Sequence, residues 1–196
     1  RTILFNKELI EWQFSSLNHK AISEIGIVTG YLKNTFKYKK KQFVNNNWQN
    51  SNMVTSLLTA NDWLKNYTCI ISYSDIIYEK KIIDQLVKAQ GDIVITYDPN
   101  WLSLWKLRFK NPLEDAENFN IKNGYLRDIG GKSNDLFSIQ GQYMGLTKFS
   151  QVGWNKIKCF LNTLSKNEID EIDMTQLFKK LLNKGFIINC ISIKGS

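Results

Sequence analysis

Histidine is nearly missing from this chain, and its scarcity argues against several kinds of chemistry. One histidine, His19, occurs among 196 residues. It follows an amphipathic stretch on what reads as its polar side, so a surface position is expected and a histidine-based catalytic triad has no support. Cysteine is scarce too. Cys69, Cys159 and Cys190 are odd in number and far apart, and each sits in an apolar run. That pattern suits buried thiols in a reducing compartment rather than a disulfide or a zinc site, and it points to the cytoplasm. No apolar run approaches the length needed to cross a membrane. The first residues, Arg1 to Lys7, show no apolar stretch followed by a small-residue cleavage site, so no signal peptide is expected in them. The glycine patterns G-x-x-x-x-G-K-[ST] and G-x-G-x-x-G are absent, and Gly130-Gly131-Lys132 is too short to be a phosphate loop. Nucleic-acid-binding signatures are also absent.

What is present reads as one folded domain spanning residues 1–196. Hydrophobic residues make up 43% and charged residues 22%, which excludes disorder as the default. The formal charge of +8 would suit a polyanion. The only dense basic cluster is Lys37, Lys39, Lys40 and Lys41, which is expected to be a solvated loop. Neither nucleic acid nor membrane is expected as a partner.

Periodicity organises the chain. Residues 7–20 predict an amphipathic helix, with Ile10, Phe14, Leu17 and Ala21 on one face. Short apolar strands are expected at 25–30, 42–45, 67–73 and 92–98, with helices at 53–64 and 80–90 between them. This alternation predicts an α/β domain with a largely parallel sheet and right-handed crossovers. From residue 101 to 150 the segments shorten, with turn signals at Asn123-Gly124 and Gly130-Gly131, more like an antiparallel insertion. Helices at 151–164 and 174–184 and a strand at 186–193 close the chain. No internal repeat and no Pro/Gly linker divides it.

Asp75 is the most informative residue. It ends the apolar run Cys69-Ile70-Ile71-Ser72-Tyr73-Ser74-Asp75, and ligands of open α/β sheets collect at the carboxyl ends of strands. A carboxylate there is a hard-oxygen ligand for Mg²⁺, which would bridge nucleotide phosphates; it would equally serve as a cap for the next helix. Glu114, Asp115 and Glu117 place three acids in four residues, shortly after Trp101, Trp105 and Arg108. Acids beside tryptophans suit a cationic head group, and Arg108 suits a phosphate or carboxylate. A short helix packing both tryptophans into the core accounts for the same spacing.

Six segments, in order, add a resemblance. They are Leu9 to Gln13, Gly26 to Tyr31, Asn52 to Leu57, Ser72 to Ile76, Asn111 to Glu117, and Gly141 to Leu146. Together they resemble the sugar-phosphate nucleotidyltransferases, and more narrowly their cytidylyltransferase branch, which acts on phosphocholine and related phospho-metabolites for bacterial surface polysaccharides. The resemblance runs over essentially the whole chain. It implies a Rossmann-like fold, with a mostly parallel mixed sheet flanked by helices and a small antiparallel acceptor-binding insertion at 99–150. It also implies in-line attack by an acceptor phosphate on the α-phosphorus of a nucleoside triphosphate, CTP in this branch, with pyrophosphate released. Under it Asp75 holds Mg²⁺, Asn52 and Ser56 contact base and ribose, and Lys132 meets the acceptor phosphate. Gln142 and Tyr143 match the acceptor pocket, and Trp101, Arg108, Glu114, Asp115 and Glu117 fall in the specificity insertion.

The resemblance places the family's glycine-rich, arginine-containing loop before Arg1, and its closing tryptophan and second metal-binding acid after Ser196. Weak Mg-nucleotide binding and slow turnover by these residues alone are the expectation, and an apolar face left uncovered would favour a homodimer. Two other functions remain open. A sugar 1-phosphate acceptor with UTP or dTTP is disfavoured by Gln142, where sugar-specific members often carry glutamate. A non-catalytic nucleotide- or polyanion-binding module would use the net charge alone.

Overall fold

The computed structural model describes residues 2–193. The chain opens with a hairpin, β1 (Ile3–Leu4) and β2 (Lys7–Glu8), that leads into α1 (Leu9–Leu17). The expected helix at 7–20 is thus shorter at both ends. Its first turn is closed by Glu11, whose carboxylate accepts from the Glu8 N–H at 3.0 Å. β3 (Gly26–Thr29) and β4 (Lys41–Val44) pair in parallel as a two-stranded sheet of their own. The expected helix at 53–64 is two helices, α2 (Met53–Leu58) and α3 (Asn61–Asn66). β5 (Cys69–Ser72), α4 (Lys80–Lys88), β6 (Ile93–Asp98) and α5 (Trp101–Arg108) follow, then β7 (Glu117–Lys122), β8 (Tyr125–Lys132) and β9 (Gln142–Phe149). α6 (Gln151–Leu161), α7 (Lys166–Glu171), α8 (Met174–Asn183) and β10 (Asn189–Ser192) complete the chain.

The central sheet has six strands in the order β5-β9-β6-β10-β8-β7. β5, β6, β7 and β10 run one way, and β8 and β9 the other. Most strands therefore share a direction, yet β6 and β10 form the sole parallel pair of neighbours within this sheet. The two opposed strands come from the segment expected to be a small antiparallel insertion. They do not form a separate lobe. β9 sits between β5 and β6, and β8 lies beside β10, so the insertion builds part of the main sheet. Asn123-Gly124 is the β7–β8 turn, as its sequence predicts. Gly130-Gly131 is not a turn. Both residues have φ of +77° inside β8, where two residues oppose one of β7, a bulge that only glycine tolerates easily.

Each face of the sheet is covered by helices because its strands alternate. Ile93 and Ile95 of β6 enter one core with Trp154, Ile157 and Leu161 of α6 and Leu177, Phe178 and Leu181 of α8. Val94 points the other way, into a second core with Leu146 and with Ile82, Ile83 and Leu86 of α4. Side chains of this kind contribute about 1.5–3 kcal/mol each when fully buried, which fixes the register that carries the site. Among the described residues no helix is long and apolar enough to cross a membrane. Cys159, expected to be buried, is exposed. His19 is not a free surface residue. Its ring Nδ1 accepts from the Ala21 N–H at 3.0 Å, and its Nε2 lies 2.9 Å from Asp84 Oδ1, tying the end of α1 to α4.

Candidate active site

β5 and β9 remain paired for one residue beyond the strand end, where the Tyr73 N–H donates to the Gly145 carbonyl at 2.9 Å. Gly145 has φ of +72°, and a Cβ on it would stand 2.8 Å from the Tyr73 ring. Glycine lets the two segments close at this point. The chain then turns through Ser74 and Asp75 at the carboxyl end of β5. Asp75 is exposed and makes no hydrogen bond or ion pair with another described residue.

Asp75 lines a cleft of about 1120 Å³. Its lining includes β3, the segment Thr68 to Asp75, residues of α1, and Asn45, Ser51, Asn52, Ser56 and Met174. Three residues singled out from the sequence, Asn52, Ser56 and Asp75, therefore share one cavity. Asn52 caps α2, accepting from the Met53 N–H at 2.8 Å, while its Nδ2 donates to the Glu171 carbonyl at 3.1 Å. The Ser56 hydroxyl accepts from Asn45 Nδ2 at 3.0 Å, and the same amide reaches Ser51 Oγ at 2.9 Å. Asn45 is only 4% exposed and organises this wall. Sequence reasoning gave it no role, although it stands at the end of β4 much as Asp75 stands beyond β5.

A second group lies across Tyr73. Gln142 is buried, and its amide is spent on the backbone of Glu117: Oε1 accepts from the Glu117 N–H at 3.2 Å and Nε2 donates to the Glu117 carbonyl at 2.6 Å. The Tyr143 hydroxyl is 2.6 Å from Thr147 Oγ1, and its ring meets Tyr73 and Phe178 edge-on at 5.7 and 5.4 Å. The Thr175 hydroxyl donates to Asp173 at 3.0 Å and lies 3.4 Å from a Glu117 carboxyl oxygen. Burial, then the neighbouring Asp173, pushes the Glu117 carboxyl above the usual range. The Tyr73 phenol is held well above its ordinary value, first by burial, then by the neighbouring Tyr143, and then by charges on Asp173, Glu117 and Asp75. Tyr73 lines the cleft and touches Tyr143 of this second group.

The remaining expected residues split. Trp101 is 2% exposed and donates its indole N–H to the Ile139 carbonyl at 3.2 Å, so it is a core residue. Trp105 donates to Asp115 at 3.0 Å, and the exposed Arg108 guanidinium lies 5.5 Å from the Trp105 ring. Lys132 donates to the Glu114 carbonyl and is exposed. None of these lines the cleft. No group of three or more His, Cys, Asp or Glu able to hold a metal occurs among the described residues.

The fold and this cleft at a strand's carboxyl end are those of an α/β protein that takes its ligand at the sheet's edge. The inositol-1-phosphate CTP transferase from T. maritima superposes with a TM-score of 0.73 at 11% identity, covering 97% of this chain and 75% of that one. The CTP:phosphocholine cytidylyltransferase from Streptococcus pneumoniae gives 0.69 at 18% identity, with 98% and 79% covered. No family model matches. The CTP:phosphoglutamine cytidylyltransferase of Campylobacter jejuni subsp. jejuni serotype O:2 is 32% identical, over 97% of this chain and 82% of its own length. The chain belongs to the cytidylyltransferase branch of the nucleotidyltransferase family.

Proposed function

We propose that the protein transfers CMP from CTP to a small phosphorylated metabolite in the cytoplasm, releasing pyrophosphate, in a pathway that decorates a bacterial surface polysaccharide. The observation that carries this reading is the Asp75 carboxylate, without a hydrogen bond or ion pair among the described residues, in a cleft shared with Asn52 and Ser56. Phosphoryl transfer demands positioning and charge neutralisation more than a covalent nucleophile, and the chain supplies no nucleophile–histidine pair beside the cleft. Asn52 and Ser56 are the groups offered to base and ribose.

Mg²⁺ commonly binds through one or two carboxylates plus the substrate's own phosphates rather than in an all-protein cage. A single carboxylate without a partner among the described residues fits that mode, and Asp75 would hold the ion. When bound, the ion neutralises charge on the phosphates. The acceptor's place is the region across Tyr73, where Glu117, Asp115 and Glu114 favour a cationic or amide-bearing head group and the exposed Lys132 is available to its phosphate. Similarity to a phosphoglutamine enzyme supports an acceptor of that kind.

The test is pyrophosphate release and nucleotide binding with each of the four triphosphates, Mg²⁺, and phosphoglutamine, phosphocholine, aminoethylphosphonate and glucose 1-phosphate as acceptors. Binding and release confined to CTP, with an amine- or amide-bearing acceptor, is the expected result. Preference for UTP or dTTP with the sugar phosphate would overturn the reading. Binding to generic DNA without Mg-nucleotide affinity would do so as well.

A further inference from the structure

Gln13 is the one buried residue of α1, 7% exposed, and it lies on that helix's apolar stripe between Ile10 and Leu17. A primary amide has two N–H groups, and both are spent on a loop distant in sequence. Gln13 Nε2 donates to the Tyr73 carbonyl at 2.7 Å and to the Ile76 carbonyl at 2.8 Å. Those two carbonyls bracket Ser74 and Asp75. Ser16, one turn further along α1, donates to the Tyr78 carbonyl. From the opposite side the loop is held by the Tyr73 N–H on Gly145, and the Ser72 hydroxyl donates to the Tyr73 carbonyl at 2.9 Å. The backbone that carries Asp75 is therefore clamped on both sides, while its carboxylate is left without a partner among the described residues.

We propose that Gln13 is a positioning residue for Asp75, fixing the Tyr73–Ile76 loop so that the carboxylate is presented to the cleft before any ligand arrives. This rests on the reading of Asp75 given above. A ligating carboxylate on a free loop must be ordered at the moment of binding, whereas one on a clamped loop meets the ion already in place. Partners that orient a metal-binding group typically change affinity or activity by about 10- to 100-fold when removed.

The experiment compares the unaltered chain with Gln13→Met, which keeps the length but donates nothing. Gln13→Glu keeps the shape and sets a negative charge against the two carbonyls. Each is made alone and on an Asp75→Asn background. CTP affinity is measured by calorimetry with and without Mg²⁺, beside turnover and melting temperature. The expected result is a loss of about 10- to 100-fold in the Mg²⁺-dependent gain in CTP affinity and in kcat, larger than any change in metal-free CTP affinity, which Gln13 could also touch because it lines the cleft. On the Asp75→Asn background the same substitutions should cost no more than about twofold, because nothing remains to be positioned. Equal losses on both backgrounds would make Gln13 a structural residue only and overturn the proposal. So would variants of Gln13 that match the unaltered chain. If Gln13→Met does not fold, the Gln13→Glu cycle decides alone. A chain whose Mg²⁺-dependent CTP affinity is unaffected by Asp75→Asn while Gln13 variants lose it refutes the reading of Asp75 instead.

Discussion

The cleft beside Asp75 and the acidic group across Tyr73 differ in how their polar atoms are employed. At Asp75, unlike at its cleft neighbours Asn45, Asn52 and Ser56, backbone is held and side chain is not: Gln13 and Gly145 secure the loop, and the carboxylate has no hydrogen bond or ion pair among the described residues. Across Tyr73 the side chains are consumed. Gln142 is locked to the Glu117 backbone, Tyr143 to Thr147, and Thr175 to Asp173. A free, exposed carboxylate costs the fold nothing when removed. A buried amide with its hydrogen bonds satisfied cannot be removed without loss. Activity and stability should therefore separate between the two regions.

The largest effect is expected at Asp75. Replacement by asparagine keeps the shape and removes the charge, and kcat/KM for CTP should fall by about 10²–10³, in the range of lost electrostatic stabilisation. Tm should stay within about 2 °C, since the group makes no hydrogen bond or ion pair among the described residues. A variant that lost stability instead would erase the comparison, and Asp75 would be a structural residue.

Gln142→Leu should show the reverse. It leaves a backbone N–H and a carbonyl of Glu117 without partners, at a cost of about 1–3 kcal/mol, and Tm should drop by several degrees. The folded fraction should keep its CTP affinity, with the KM for acceptor raised. Loss of CTP affinity in a stable Gln142→Leu protein would mean that the two regions are one site.

How far these roles can be read in the sequence depends on whether they are local. The apolar run ending at Asp75 marks a strand and its exit, and the alternation up to residue 98 marks the α/β class. Trp154, Ile157 and Leu161 share a face of α6, and the same periodicity turns Cys159 away from it, so its exposure was legible. Gln13 was legible as well, a polar residue in an apolar helical stripe. Asn45 carried the strand-end signal used for Asp75. Strand order is different. Nothing within 142–149 says that β9 will lie between β5 and β6, because that position is set by contacts far apart in sequence. Nor does Gly130-Gly131 distinguish a turn from a bulge, since both require the same backbone freedom. The employment of Gln142 as a clamp is likewise invisible, for its partner is a backbone 25 residues away.

The smallest effect, and the one that sharpens the comparison most finely, is the pH dependence at Glu117. Its carboxyl is raised above the usual range, first by burial and next by Asp173. A carboxyl whose folded value lies above its unfolded value binds its proton more tightly in the fold. Its favourable contribution is complete below the ordinary carboxylate range and is lost as pH rises through the raised value. Above the ordinary carboxylate range the half-buried Glu117 is thus a growing burden on the fold. Glu117→Gln, which retains the shape and can still meet Thr175, should melt higher than the unaltered chain near pH 7. The gap should narrow as pH falls into the carboxylate range. A Glu117→Gln protein less stable at pH 7 than at pH 4, relative to the unaltered chain, would mean that the ionised carboxylate is held favourably, and that the region across Tyr73 presents a charge to its acceptor as openly as Asp75 presents one to the cleft.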